Sequence, residues 1–426
     1  MEYVPRLLDA FLEDALTALP AIAVDGPKAV GKTATASRHA GAVLSLDDDP
    51  TAQSLREDPD LINRLPRPLL IDEWQYWPPI WDKVRHAVDT AGAAGLFLLS
   101  GSATPKEKPK HSGAGRIVHV RLRPFTLAER QLEPPTVSLK ELLAGRQEPL
   151  TGRTDVTVEQ YAEEIVRGGL PALRSTPERF RFTAWEGYLA ELFERDLPEL
   201  GRQVRRPATL MAWLRSYARA TAGVATYTDI LDNAMPADVH KPTKATTLAW
   251  RELLGSMWLL DPLPAWDDPR HKLGKLGQVP KHHLMDPALA AHLLGLTTPD
   301  TLLTQPRELE PLAKRGTTTF GGLFESLVTL SVRVYAEATD ARASHLRTRD
   351  GRHEVDLIVT RPDGRIVAFE VKSTPAVTAA DAKHLLWLRD KLGDDLLDAA
   401  IITTGTDAYR RQSDGIAVVP AALLGP

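Results

Sequence analysis

Apolar residues open the chain at helical spacing. Leu7, Leu8, Phe11, Leu12, Ala15 and Leu16 would line one face of a helix over residues 1–19, and Pro20 would stop it. Ala21-Ile22-Ala23-Val24 is short, continuous and apolar, which predicts a buried strand running into a glycine-rich turn. Helix-like sequence follows over Lys32–Ala40, then short strands at Val43–Leu46, Leu69–Ile71 and Leu96–Leu99. Strands alternating with helical segments indicate a parallel sheet covered by helices. From Val158 to Leu260 the pattern is mostly helical, with Trp, Leu and Ala three or four positions apart. From Phe320 it changes again: a helix over Gly322–Ala336, a strand over His353–Val359, a Pro-Asp-Gly turn at Pro362–Gly364 and a strand over Ile366–Val371. A helix over Ala379–Leu392 and a strand over Ala399–Thr403 complete a second α/β unit. Residues 131–157 and 296–318, rich in Pro, Thr, Gly and Glu, read as joints.

Composition narrows the classes. The 426 residues allow two to four domains at about 100–200 residues each. With 52 Lys and Arg against 56 Asp and Glu, the formal charge is −4, which excludes a binder whose whole surface is a phosphate trap. The chain has no Cys, so thiolate zinc sites, iron–sulfur clusters, disulfides and Cys nucleophiles are excluded. Glu13 and Asp14 interrupt the early apolar stretch, which argues against a signal peptide, and no apolar run approaches the length of a membrane helix. The expectation is a cytoplasmic, multidomain protein with no membrane partner.

The first candidate chemistry lies in the glycine-rich turn. Gly26-Pro27-Lys28-Ala29-Val30-Gly31-Lys32-Thr33 fits the phosphate-loop pattern G-x-x-x-x-G-K-[ST], with an apolar strand before it and a helix after it. Glycines let backbone N–H groups close around phosphates, Lys32 can bridge the β- and γ-phosphates, and Thr33 offers a hydroxyl to Mg²⁺. ATP with Mg²⁺ is the expected ligand. In Leu69-Leu70-Ile71-Asp72-Glu73 a buried strand ends in two acids: Asp72 is placed to hold Mg²⁺ beside Thr33, and Glu73 to orient or deprotonate the attacking water. That second acid favours hydrolysis over small-molecule phosphoryl transfer. Ser100 and Ser102, at the end of the next strand, are candidates for sensing the γ-phosphate. Arg116, in Ser112-Gly113-Ala114-Gly115-Arg116, is a candidate phosphate contact, in its own chain or in a neighbouring subunit of a homo-oligomer.

These motifs, followed by Leu-Arg-Pro-Phe-Thr-Leu-Ala-Glu, resemble the prokaryotic AAA-type ATPases that carry a C-terminal domain of unknown function. The resemblance continues through Gly168-Gly169-Leu170-Pro171, Pro280-Lys281-His282-His283-Leu284-Met285-Asp286, Glu354-Val355-Asp356 and Glu370-Val371-Lys372. It implies a winged-helix segment and a restriction-endonuclease-like fold after the ATPase. The expected architecture is therefore α/β multidomain: an ATPase over 1–130, a helical connector over 131–204, a winged-helix-like part over 205–295 and a nuclease-like part over 296–426.

In the middle, residues 201–290 hold 12 Lys and Arg against 8 Asp and Glu, opposite in sign to the whole chain. Lys241, Lys244, Thr246, Thr247 and Arg251 would lie along its third helix and the approach to it, a row suited to DNA phosphates. His282 and His283 read as a packed strand end, since neighbours on a strand face opposite ways. In the tail, Asp356 and Glu370 would meet across the Pro-Asp-Gly hairpin, and Lys372 shares a face with Glu370. Two carboxylates and a Lys suit metal-assisted phosphodiester hydrolysis, and by the same resemblance Glu325 would complete the metal shell. The combined expectation is an ATP hydrolase acting on DNA, with an ATP-switched binding module carrying an inert tail as the alternative.

Overall fold

The computed structural model describes residues 3–102, 111–199, 204, 206–235, 241–268, 270–271, 273, 279–304, 312 and 318–426. The N-terminal part runs α1 (Leu7–Ala18), β1 (Ala21–Asp25), α2 (Lys32–Ser37), β2 (Ala42–Ser45), α3 (Asp49–Glu57), β3 (Leu69–Asp72), α4 (Pro79–Ala91), β4 (Phe97–Gly101) and β5 (Ile117–Arg121). The strands pair in parallel in the order β2-β3-β4-β1-β5. Alternation divides their side chains between two faces. Ala21, Ala23, Ile71, Phe97 and Leu99 pack with Leu55 of α3 and with Ile80, Trp81 and Val84 of α4. Ile22, Val24, Leu70 and Leu98 face the other way, into a second and larger core. Helix α2 ends at Ser37, a few residues short of the expected Ala40.

The chain continues through β6 (Val137–Ser138), α5 (Leu139–Ala144) and β7 (Gly152–Arg153). Helices α6 (Val158–Arg167), α7 (Pro171–Arg174) and α8 (Glu178–Ala190) follow, then a π-helical turn over Glu191–Asp196 and α9 (Leu197–Glu199). The middle holds α10 (Pro207–Arg219), α11 (Tyr227–Ala234), α12 (Lys244–Ser256), α13 (Pro287–Leu293) and α14 (Pro299–Leu303). The C-terminal part is α15 (Thr319–Glu337), β8 (Arg342–Arg347), β9 (Glu354–Thr360), β10 (Ile366–Val371), α16 (Lys383–Leu392), β11 (Leu396–Thr403), β12 (Asp407–Arg410), β13 (Ala417–Pro420) and β14 (Leu424–Gly425).

The C-terminal sheet has the order β7-β12-β13-β11-β10-β9-β8. β10, β11 and β13 are parallel, and the hairpin partners β8, β9 and β10 are antiparallel. The stretch 131–157, expected as a joint, places β7 on the edge of this sheet and pairs β6 with β14. The larger core runs without interruption from Leu12 and Ile22 of the N-terminal part, through Trp213 and Leu254 of the middle, to Phe324 and Phe369 of the C-terminal part. Between α12 and α13 the chain makes single bridges, Leu260 to Leu284, Leu263 to Lys281 and Ala265 to His345.

Candidate nucleotide site and a buried acidic cluster

Strand β1 delivers the chain to the phosphate loop at Gly26. Its φ is +154°, and a Cβ there would meet the carbonyl oxygen of Leu122 at 2.3 Å, so only glycine fits. Lys32 is buried, and its Nζ donates to the carbonyls of Gly26 at 3.0 Å and Pro27 at 2.9 Å. Burial pulls its pKa down to about 8, against the pull of Glu73, Asp72 and Asp25. Thr33 Oγ1 donates to Asp72, 3.0 Å from each carboxylate oxygen. Ser100, directly across the sheet on β4, donates its hydroxyl to the same carboxylate. Burial raises the Asp72 pKa, and the Ser100 hydrogen bond works against that shift.

Glu73 leaves β3 with φ +51° and is held by two neighbours. Gln75 donates its side-chain N–H to Glu73 Oε2, and Ser102 Oγ donates to the same oxygen at 3.1 Å. Gln75 is a site residue that sequence reasoning missed; its signal was its place two residues after the acid pair. A cavity of about 110 Å³ opens here, lined by Lys28, Asp47, Glu73, Gln75, Ser102 and Asp196. Lys28 Nζ reaches Asp196 of the π-helical turn at 2.7 Å, and Tyr188 of α8 donates to the Lys28 carbonyl at 3.2 Å. A larger cavity of about 660 Å³ lies between α1, β5 and α15. Its buried arginines are committed to carboxylates: Arg6 to Glu129, Arg123 and Arg333 to Asp261.

Arg116 requires a correction. It precedes β5, whose first residue Ile117 pairs with Ala21 at the start of β1. The phosphate loop follows the other end of β1, roughly 16 Å away along five residues at about 3.3 Å each. Arg116 Nε instead pairs with Asp89 of α4 at 2.8 Å. Contact with a phosphate bound in the same chain is excluded, and the neighbouring-subunit role remains a proposal.

In the middle, Lys241 pairs with Asp232 at 2.7 Å, Thr247 is buried, and Arg251 lies over the Tyr227 ring at 3.5 Å. Lys244 and Thr246 are exposed. His282 and His283 are packed as expected: the first faces the Ala225 carbonyl at 2.7 Å and the second Ser326 Oγ at 3.0 Å. Burial holds both below the usual histidine range.

The tail residues converge. Phe369 pairs with Leu357, which sets Glu370 of β10 beside Asp356 of β9. The two carboxyls share a hydrogen bond, and burial together with Asp356 raises the Glu370 pKa well above the carboxylate range. Lys372 Nζ reaches Glu370 Oε2 at 3.2 Å. Glu325 of α15 joins through Lys281, which sequence reasoning left out of the cluster. Lys281 Nζ lies 2.7 Å from Glu325, 2.8 Å from Asp356 and 3.3 Å from Glu354.

Three stretches of the chain match known family models. Residues 19–131 match the family model described as AAA domain. This part of the chain is similar to AAA domains and carries their phosphate-loop pattern. The middle, residues 158–300, matches a domain of unknown function (DUF8612), and residues 320–424 match another (DUF4143). Over 424 residues the chain is 28% identical to "Uncharacterized protein Rv2008c" of Mycobacterium tuberculosis, covering 97% of this chain and 82% of the relative. The same figures hold for "Uncharacterized protein Mb2031c" of Mycobacterium bovis. Among solved structures, the Walker-type ATPase of Pyrococcus abyssi is 18% identical with a TM-score of 0.41, over 68% of this chain and 96% of that one. Drosophila ORC bound to DNA is 14% identical with a TM-score of 0.19, over 67% and 84%. Among the described residues no helix is long and apolar enough to cross a membrane.

Proposed function

We propose that the chain is a Mg²⁺-dependent ATP hydrolase whose nucleotide state controls its grip on DNA through the middle and C-terminal parts. One observation carries the hydrolase reading: Thr33 and Ser100 converge on the buried Asp72 carboxylate beside the phosphate-loop Lys32. Thr33 and Asp72 would hold Mg²⁺, which when bound neutralises charge on the phosphates. Lys32 would pair with the β- and γ-phosphate oxygens, and backbone N–H groups from Lys28 to Thr33 would cradle them. Ser100 orients Asp72. Glu73 would take the proton of the attacking water, with Gln75 and Ser102 fixing where its carboxylate points.

The DNA part rests on the exposed Lys244 and Thr246 and on the local excess of Lys and Arg. A second reading, an ATP-switched protein-binding module, draws on different features of the same helix. Lys241 is already paired with Asp232, and Leu248 of α12 is 49% exposed.

The test follows phosphate release and DNA retention together, with and without Mg²⁺. Lys32→Ala should lose tight ATP binding in a calorimetric titration. Glu73→Gln should bind ATP normally and turn over about 10²–10⁴-fold more slowly. Parental turnover in Glu73→Gln would remove Glu73 as the base. DNA retention that ignores nucleotide, or keeps the parental salt slope in Lys244→Ala, would favour the protein-binding reading.

A further inference from the structure

The acids of the C-terminal cluster are the kind that hold a divalent cation: Glu370 lies beside Asp356, and Glu325 meets Asp356 across Lys281. The space between them is taken. Lys281 is fully buried, and its ammonium sits within hydrogen-bond distance of Glu325 and Asp356 at once. The backbone around it is fixed: Lys281 N–H donates to Leu263 at 3.0 Å, and Leu263 N–H donates back at 2.9 Å. His282 and His283 anchor the next two positions.

Two of the remaining oxygens are also engaged, while Glu370 Oε1 is buried without a hydrogen-bond partner. Asp356 Oδ2 accepts the Val371 N–H at 3.0 Å, and Glu370 Oε2 accepts from Lys372. A divalent ion needs carboxylate oxygens at about 2.0–2.6 Å, so an ion bound by Glu325 and Asp356 would occupy the volume of the ammonium and repel it. Among the described residues no group of three or more His, Asp or Glu is arranged to hold a metal.

We infer that Lys281 is the resident cation of this cluster: its ammonium takes the seat a divalent metal would occupy, so the C-terminal part binds no catalytic metal. The ammonium comes from the region matched over 158–300 and the acids from the region matched over 320–424, so the same contact fastens the two together. The metal-assisted cutting expected from the tail residues does not fit this arrangement. The inference stands apart from ATP hydrolysis, because Thr33 and Asp72 lie in another part of the chain.

The test titrates Mn²⁺, without nucleotide, into the full parental chain and into Glu370→Gln and Asp356→Asn chains, reading bound Mn²⁺ by electron paramagnetic resonance. All three should bind alike. A Mn²⁺ site present in the parent and lost in Glu370→Gln or Asp356→Asn would overturn the inference, as would Mg²⁺-dependent DNA cleavage lost in Asp356→Asn. Lys281→Met should lower the melting temperature by several degrees or prevent folding. A parental melting temperature in that variant would overturn the fastening role.

Discussion

Lys32 is a charge kept where charge is costly. Burial brings its pKa to about 8, so below that pH the ammonium is intact and above it the group is a neutral amine. ATP affinity should therefore fall by roughly tenfold per pH unit above about 8. Titrations from pH 7 to 9.5 would check this, and Lys32→Arg, which keeps its charge, should flatten the profile. The sign for stability is opposite. The unfolded chain holds this proton up to the ordinary 10.5, so the residue's contribution to stability rises with pH between about 8 and 10.5. Residues of this kind were legible because phosphate loop and acid pair are local patterns at strand ends. Lys281 was not, because its partners Glu325 and Asp356 come 44 and 75 residues later. The spacing that singled out Arg116 carried no information on which end of the sheet it would occupy.

Some of the longer elements could be read from their periodicity, while α3, α4 and β8 were not. Ile366–Val371 has the bounds its pattern predicts, and the hairpin that joins Asp356 to Glu370 forms. Strands β6 and β7 are two residues each, too short to show any period, and their partners lie far along the chain. The Gly168-Gly169 strap was legible as a motif, but its work was not. A Cβ on Gly169 would meet the backbone N and O of Phe125 at 2.7 and 2.8 Å, and Gly169 N–H donates to Asp286 Oδ2 at 2.7 Å. Gly169→Ala should cost about 1–3 kcal/mol, because backbone cannot step aside as a side chain can. Gly187, inside α8 with nothing within 4 Å, is the contrast. Gly187→Ala should stabilise by about 0.5–1 kcal/mol, and urea denaturation of the two variants compares them directly.

At the scale of the molecule, Asp261 ties the parts together. Arg121 and Arg123 reach it from the end of β5 in the N-terminal sheet at 2.7 and 2.9 Å, and Arg333 reaches it from α15 at 2.9 Å. Burial alone would raise the Asp261 pKa, but the three guanidiniums outweigh it and hold the carboxyl far below the usual range. Asp261→Ala strands buried arginines and should cost about 3–5 kcal/mol in chemical denaturation. A depressed pKa means the contribution is fully present above the ordinary value of about 3.9 and is lost as pH falls below it. Acid titration of the parent should show this loss, and the variant should lack it.

The pairing of β7 with β12 has a consequence for the order in which the protein is made. Residues 152–153 leave the ribosome about 250 residues before 407–408 exist, a wait of roughly 10–50 s at about 5–20 residues per second. During that interval the nascent chain carries an unfinished sheet edge. The edge of the C-terminal sheet is therefore closed late, once β12 has been made.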